Sequence, residues 1–485
     1  MGSDRFVGTA VMSPAIGRHD VEQFRALVAD RLGLCFDDSK LGVLADALRR
    51  RIEAGNGAGD AYLIRLAASH CPPEELRALA QDLTVTETYF YRSVDQIHAF
   101  VERVLPRCLA ASAGSRRARV LSAGCASGDE PYSLAIAIRE RLPEAADRVA
   151  ITAVDVNPAM LDKAHQARYS AWSLREFPVE LRPRWFRAEG PSFLLDDAVR
   201  RAVTFEERNL AHGDPELWQA QSWDVVFCRN LLMYFSPSLA QAVVERIARS
   251  LVPGGYLFLG HAETLRGLSN DFHLCHTHDT FYYQLREGAP GRATDFVASN
   301  RERIDGVGAS PLSADSTWVD TVRRAAERID ALAELSNALS APPPATERAR
   351  DPQALLLRAV SLVHSGALAP AEPVCRELIE CDELNAGAHY LLALCREGSG
   401  DPAGAVEEDR IAVYLDPGFA MARLHLGLLA RRRGERETAR RELSEALLRL
   451  RREDVSRLLL FGGGFSREAL ITLCRSELGK CGERT

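Results

Sequence analysis

Arg119–Ile138 reads RVLSAGCASGDEPYSLAIAI: an apolar run, a turn of small residues holding Gly124 and Gly128, then a helix-patterned segment. A strand that ends in a glycine turn and opens a helix is the layout of a nucleotide-cradling loop. The phosphate-binding versions do not fit. The loop has no Gly-Lys-Ser/Thr, and its Gly124-x-x-x-Gly128 spacing is not Gly-x-Gly-x-x-Gly. Asp129 and Glu130 stand at the helix start, where they would repel a pyrophosphate.

Such a loop suits a ligand that tolerates close backbone, lacks phosphate and carries positive charge. S-adenosylmethionine, with its sulfonium and ammonium groups, meets these conditions. A second sign follows in VAITAVDVNP, where Asp155 closes a strand and Asn157-Pro158 begins a turn. An acid at the end of the second strand suits the two ribose hydroxyls. Taken alone, a glycine turn and a later acid also fit purely structural turns.

Working outward, strand-like runs RVLSAG, VAITAVD, AVTFEERNL, WDVVFCRN, GGYLFLG and DTFYYQL alternate with helical segments over residues 101–286. This alternation predicts a mainly parallel α/β sheet with helices on both faces. Residues 18–100 read as an all-helical domain, with apolar residues at helical spacing in VEQFRALVADRLGL and SKLGVLADALRRRIEAG. Residues 287–345 read as a flexible linker rich in Gly, Pro, Ala and Ser, interrupted by the helix-patterned TWVDTVRRAAERIDALAELSNAL. Beyond it, residues 346–485 carry a repeat. Gly366, Gly400 and Gly434 stand at one fixed spacing, shared by Ala371, Ala405 and Ala439, by Ala359, Ala393 and Gly427, and by Leu356, Tyr390 and Leu424. The period and the helix-turn-helix pattern resemble tetratricopeptide repeats, closed by a terminal capping helix.

The bulk numbers narrow the function. The chain has 485 residues, 46% of them apolar, enough for two or three domains. A net charge of −7 argues against a general nucleic-acid binder. Eleven cysteines without a Cys-x-x-Cys pair fit reduced thiols of a cytoplasmic protein. No window is apolar enough for a membrane span, and no insertion is expected. His273, Cys275, His276 and His278 match no zinc spacing, so no metal is expected. Cys125 and Cys228 read as small buried residues, and LFGGGF as a helix-breaking turn.

Six stretches together resemble the CheR-type methyltransferases, which methylate chemoreceptor glutamates: TVTETYFYR, SAGCASGDEPYSLA, AVDVNPAML, ARYSAWSLREFP, VTFEERNL and DVVFCRNLLMYF. They fall in family order and cover residues from about 20 to 286. The resemblance implies a Rossmann-like methyltransferase sheet using S-adenosylmethionine and releasing S-adenosylhomocysteine. It implies cofactor contacts from Thr86, Thr88, Arg92, Glu130, Asp155, Asn209, Leu210, Arg229 and Asn230. Asn209 and Leu210 would flank the adenine; Arg229 and Asn230 would lie beside the methyl group. Where the family usually has Asn, this chain has Thr86, whose hydroxyl reaches less far.

Arg92 and Tyr234 are the expected catalytic side chains, Arg92 orienting a carboxylate and Tyr234 lying near the transferred methyl. The implied protein substrate is the cytoplasmic helices of a chemoreceptor, with recruitment to membrane receptor clusters. Lys40, Arg49, Arg50, Arg51 and Arg65 offer those helices a basic face, although the family often has an arginine where this chain has Ala47. The repeats are expected to bind a further protein or the enzyme's own catalytic domain. A noncatalytic scaffold that keeps the fold is the alternative. A small-molecule methyltransferase is a third, disfavoured by the helical domain and the repeats.

Overall fold

The computed structural model describes residues 16–54, 59–68, 71–112, 114, 116–287, 351–463 and 465–482. Except for Glu287, the expected linker and its helix-patterned stretch lie outside them. The chain forms two compact units, Met1–Gly291 and Arg292–Thr485.

The first unit opens with α1 (Arg18–Leu32), α2 (Leu41–Ala54), α3 (Gly59–Ala67) and α4 (Pro73–Leu83). Val21, Phe24, Val28 and Leu32 line one face of α1 and are buried with Leu44, Leu48 and Ile52 of α2. This is the helical spacing of the sequence turned into a core. Next, α5 (Val94–Ala99) passes through a π turn into α6 (Leu105–Ala111). Phe100 in that π turn packs edge-on against Phe227 with ring centres 5.3 Å apart, seating these helices on the sheet.

The strands follow in chain order: β1 (Ala118–Ala123), β2 (Val149–Asp155), β3 (Arg168–Ser170), β4 (Phe186–Glu189), β5 (Ser192–Leu195), β6 (Val203–Glu207), β7 (Trp223–Cys228), β8 (Leu251–Leu259), β9 (Phe272–Thr277) and β10 (Thr280–Leu285). Among them lie α7 (Asp129–Arg141), α8 (Pro158–Gln166), the single turns α9 (Arg182–Trp185) and α10 (Asp197–Arg200), and α11 (Pro237–Ser250). Seven strands form one sheet in the order β6-β2-β1-β7-β8-β10-β9. The first five run parallel and β10 turns antiparallel between β8 and β9. Central β1 is buried almost throughout, as a strand covered on both faces should be. Helix α7 carries Asp129 and Glu130 in its first turn and Arg139 and Arg141 in its last, complementing the helix dipole at both ends.

Two features go beyond the six expected strands. FHLCHT forms β9 as the hairpin partner of β10. A separate antiparallel sheet, β3-β5-β4, is inserted between α8 and β6. Its strands of three or four residues are too short for alternation to stand out in sequence.

The second unit is a run of helix pairs. The first helices begin at Pro352, Ala386 and Ala420, and their partners at Leu368, Pro402 and Arg436, so the period of the sequence columns is kept. Gly366, Gly400 and Gly434 make the same left-handed turn, with φ of 74°, 86° and 78°. Ala371, Ala405 and Ala439 are fully buried where paired helices touch. The unit is a tetratricopeptide-type stack. Helices Val455–Phe461 and Arg467–Gly482 follow the third pair, and Gly462 stops the first of them.

A buried ionic cluster ties the second pair to the third. His425 Nε2 lies 2.8 Å from Glu397 Oε2, and Nδ1 lies 2.6 Å from Asp409 Oδ2. The second approach is misaligned for a hydrogen bond and acts as a Coulombic contact. Burial alone would lower the His425 pKa, but Asp409 and Glu397 outweigh it and raise it to about 9. Burial pushes Asp409 up to about 6. Both partners are therefore charged between about 6 and 9. Because the folded His425 pKa exceeds its ordinary value of 6.5, its contribution is complete below 6.5 and is lost as pH rises through about 9. The repeat unit should lose on the order of 2 kcal/mol of stability between about pH 7 and pH 10. Thermal melting of the full chain at both pH values checks this. His425→Gln should abolish the difference, and an equal shift in that variant would rule His425 out as its source.

Candidate active site

From β1 the chain proceeds to β2 and β6 on one side of the sheet, then returns to β7 and continues through β8 on the other. The carboxyl ends of β1 and β7 thus flank a topological switch point, where open parallel sheets form a crevice. A cleft of about 310 Å³ lies there. Its sheet side is built from Gly124 and Ala126 after β1, Asp155 at the end of β2, Asn209 and Leu210 after β6, and Asn230, Leu231 and Met233 to Phe235 after β7. The opposite wall comes from the helical domain: Leu32 at the end of α1, Leu34 to Asp37 between α1 and α2, and Leu83 to Thr86 at and after the end of α4.

The glycine loop is shaped for this position. Gly128 has φ 84°, and a Cβ there would lie 3.0 Å from Ala164 Cβ and 3.1 Å from Phe205 Cζ. Both the left-handed turn and the packing beneath it require glycine. The Ala126 N–H donates to Asp155 Oδ2 and the Asn157 N–H to Oδ1, each at 2.8 Å. Asp155 is thereby oriented, and each oxygen keeps lone-pair capacity for a further donor. Burial raises its pKa above the ordinary aspartate value, against the pull of those two N–H groups.

Asp129 and Glu130 separate. Asp129 is fully buried, accepts from Ser127 Oγ at 2.7 Å, and has its pKa raised by burial to about 6. It faces the protein interior. Glu130 accepts from Ser122 Oγ at 2.7 Å and from Arg229 Nη1 at 3.0 Å. Arg229 Nη2 then donates to the Arg92 carbonyl at 2.8 Å. One polar chain therefore runs from β1 through α7 and the end of β7 to the Arg92 backbone. That backbone is itself fixed by left-handed residues on either side, Tyr91 at φ 60° and Ser93 at φ 59°. The Phe90 N–H donates to the Ser173 carbonyl at 2.9 Å. Arg175 stacks over Tyr89 at 3.7 Å and over Trp172 at 4.2 Å, joining TVTETYFYR to ARYSAWSLREFP.

Residues 86–281 match the family model "CheR methyltransferase, SAM binding domain". Chemotaxis protein methyltransferase 2 of Vibrio cholerae is 35% identical over 274 residues, 56% of this chain and 94% of that protein. Chemotaxis protein methyltransferase 1 of Pseudomonas aeruginosa is 32% identical over 279 residues, 56% of this chain and 96% of its own length. The "Probable biofilm formation methyltransferase WspC" of Pseudomonas putida is 30% identical over 436 residues, 89% of this chain and 99% of that protein. The chain belongs to the CheR methyltransferase family. Its cofactor is S-adenosylmethionine, and its reaction class is methyl transfer in chemosensory signalling.

The cleft fits this cofactor by its donor set. Asp155 presents spare acceptors for a pair of hydroxyls, and no phosphate-binding Gly-Lys-Ser/Thr is built into the loop. Of the residues implied by resemblance to CheR proteins, Thr86, Asp155, Asn209, Leu210 and Asn230 line the cleft, as does the further candidate Tyr234. Thr88, Arg92, Glu130 and Arg229 are not among its lining; Glu130 and Arg229 form the polar chain, which Arg92 joins through its carbonyl. The Asn209 side chain donates to the Arg31 carbonyl and accepts from the Ala211 N–H, both at 2.9 Å. It stitches the loop after β6 to α1 while bordering the cleft. Tyr234 is half-buried and packs against the helical core, while its carbonyl accepts from the Cys35 N–H at 2.8 Å.

The basic face of the CheR helical domain is only partly available. Arg51 is held by Glu75 at 2.6 and 2.8 Å, and Glu75 also accepts from Tyr62 Oη at 2.8 Å. Arg49 pairs with Asp46 and Arg50 with Asp82. Ala47 is buried in the helical core. Lys40 borders the cleft itself.

Burial raises the Cys125 and Cys228 thiols well above their ordinary value, and both stay protonated. His278 turns to Glu102 at 3.0 Å and His276 stacks on Phe281. Among the described residues no group of three His, Cys, Asp or Glu could hold a metal. No helix among them is long and apolar enough to cross a membrane. Sequence reasoning named Thr86 but missed the rest of the helical-domain wall and the buried Glu263. The only signals were two apolar residues, Leu34 and Phe36, in a connection between helices, and a Gly-x-x-Glu after β8.

Proposed function

We propose that this CheR protein methylates glutamate side chains on the cytoplasmic helices of a chemoreceptor, forming glutamate methyl esters. The observation that carries the reading is the polar chain that fixes Arg92 at the same end of the sheet as the cleft. Arg92 Nη1 makes one bond to the Glu87 carbonyl at 3.2 Å, which leaves other guanidinium donors for an incoming carboxylate. Bound S-adenosylmethionine supplies a methyl group activated by the sulfonium. A glutamate with a pKa of about 4.3 is already ionised at neutral pH, so no side chain has to remove a proton. The work left to the protein is to orient the carboxylate and exclude water. Arg92 orients it, Tyr234 borders the transfer point, and Asp155 and Asn230 hold the cofactor from either side of the switch point.

The repeat unit serves a separate role, engaging a protein partner or the catalytic unit. The match to WspC extends over 89% of this chain, against 56% for the chemotaxis methyltransferases above. This favours a pathway of the biofilm-formation kind, with the enzyme recruited to receptor clusters at the membrane. The test is transfer of labelled methyl from S-adenosylmethionine to a receptor cytoplasmic fragment. Label released as methanol by mild base, and absent when the acceptor glutamates are glutamines, is the expected result. Cofactor binding without transfer to any receptor fragment would leave the noncatalytic scaffold.

A further inference from the structure

Glu263 stands in GHAE, just past β8, and only 6% of it is exposed. Both carboxylate oxygens accept from backbone N–H groups. Oε2 takes the Asn230 N–H at 2.6 Å and the Gly260 N–H at 2.8 Å. Oε1 takes the Leu231 N–H at 2.8 Å and, more weakly, the Met233 N–H at 3.4 Å. A carboxylate suits this nest because it offers about four acceptor sites and no donor of its own.

The turn it gathers is the one that follows β7. Asn230 is held there at φ 56°, a left-handed conformation that a non-glycine residue adopts only when its surroundings enforce it. The two ends also interlock. A Cβ on Gly260 would lie 2.7 Å from Asn230 Nδ2 and 2.8 Å from Glu263 Oε2. The turn supplies Asn230, Leu231, Met233 and Tyr234 to the cleft wall.

We propose that Glu263 is a positioning residue for methyl transfer. By collecting the N–H groups of Asn230, Leu231 and Gly260, it holds the left-handed turn at the end of β7. It thereby sets where Asn230 and Tyr234 meet cofactor and acceptor. The proposal rests on the reading of this cleft as the methyl-transfer site.

The test uses the full chain and Glu263→Gln, which keeps the side chain's shape but points an NH₂ group at backbone donors. The expected result is a fall in kcat of about 100-fold, as small misplacements of reacting groups produce. KM for the receptor fragment stays unchanged, and kcat is corrected for the folded fraction measured by circular dichroism. A purely structural role would lower the melting temperature and leave the corrected kcat within about threefold of wild type, which overturns the proposal. If Glu263→Gln does not fold, Gly260→Ala takes its place, since it keeps the carboxylate's charge but crowds both it and Asn230 where they interlock. A similar loss of kcat there supports the proposal, and full activity overturns it. Absence of transfer by the wild type defeats the proposed function itself and is read separately from either variant.

Discussion

Asp155→Ala should weaken S-adenosylmethionine and S-adenosylhomocysteine binding by about 100-fold or more. Asp155 borders the cleft with two oxygens, each already oriented by one backbone N–H and each able to accept another donor. Two hydrogen bonds to a charged acceptor contribute about 1.5–3 kcal/mol each, so losing both exceeds a hundredfold in affinity. The substitution also releases the Ala126 and Asn157 N–H groups, which loosens the glycine loop. Asp155→Asn, which retains an acceptor oxygen and the shape, should fall between alanine and wild type. Calorimetric titration of the full chain gives all three values. Affinity for the alanine variant within about threefold of wild type would remove Asp155 from the cofactor site.

Glu130→Ala should be the most destabilising single change at the site. It leaves the Arg229 guanidinium, whose side chain is 4% exposed, without its counter-ion. Removing one partner of a buried ion pair costs about 3–5 kcal/mol, because the remaining charge stays buried. Burial already lowers the Arg229 pKa, with Glu130 opposing that effect. Loss of Glu130 also frees Arg229 from its place on the Arg92 carbonyl, and methyl transfer should fall with stability. The double variant Glu130→Gln with Arg229→Met removes the unpaired charge, so it should recover much of the stability without the activity. Denaturant unfolding and transfer assays on both variants separate the two effects. Equal stability of Glu130→Ala and wild type would mean that the pair is not buried in solution.

Patterns of neighbouring residues carried much of this in the sequence. The strand, glycine turn and helix of Arg119–Ile138, the acid at Asp155, and the repeat columns at Gly366, Gly400 and Gly434 all depend on local backbone geometry. A left-handed turn requires glycine, helix pairs that touch require alanine, and strands buried on both faces require continuous apolar runs. Such demands leave a mark within a few residues, so the parallel sheet, the helical domain and the repeat stack could all be read from the linear chain.

Tertiary structure alone decided which side chain of each motif faces the cleft. Asp129 and Glu130 are adjacent in sequence, yet one turns inward and the other pairs with Arg229, because successive helical positions point about 100° apart. Asn209 stands at the expected place but donates its amide to the Arg31 carbonyl, a partner reached only after the helical domain folds against the loop that follows β6. Ala47 and Arg51 share a helix face that packs inward, so Arg51 is withdrawn from the anticipated basic surface while Arg49 and Arg50 stay exposed. Glu263 lies more than 30 residues from the turn it gathers. Its role comes from buried N–H groups that must find an acceptor, and proximity in space creates that requirement, of which the Gly-x-x-Glu spacing shows only the local part.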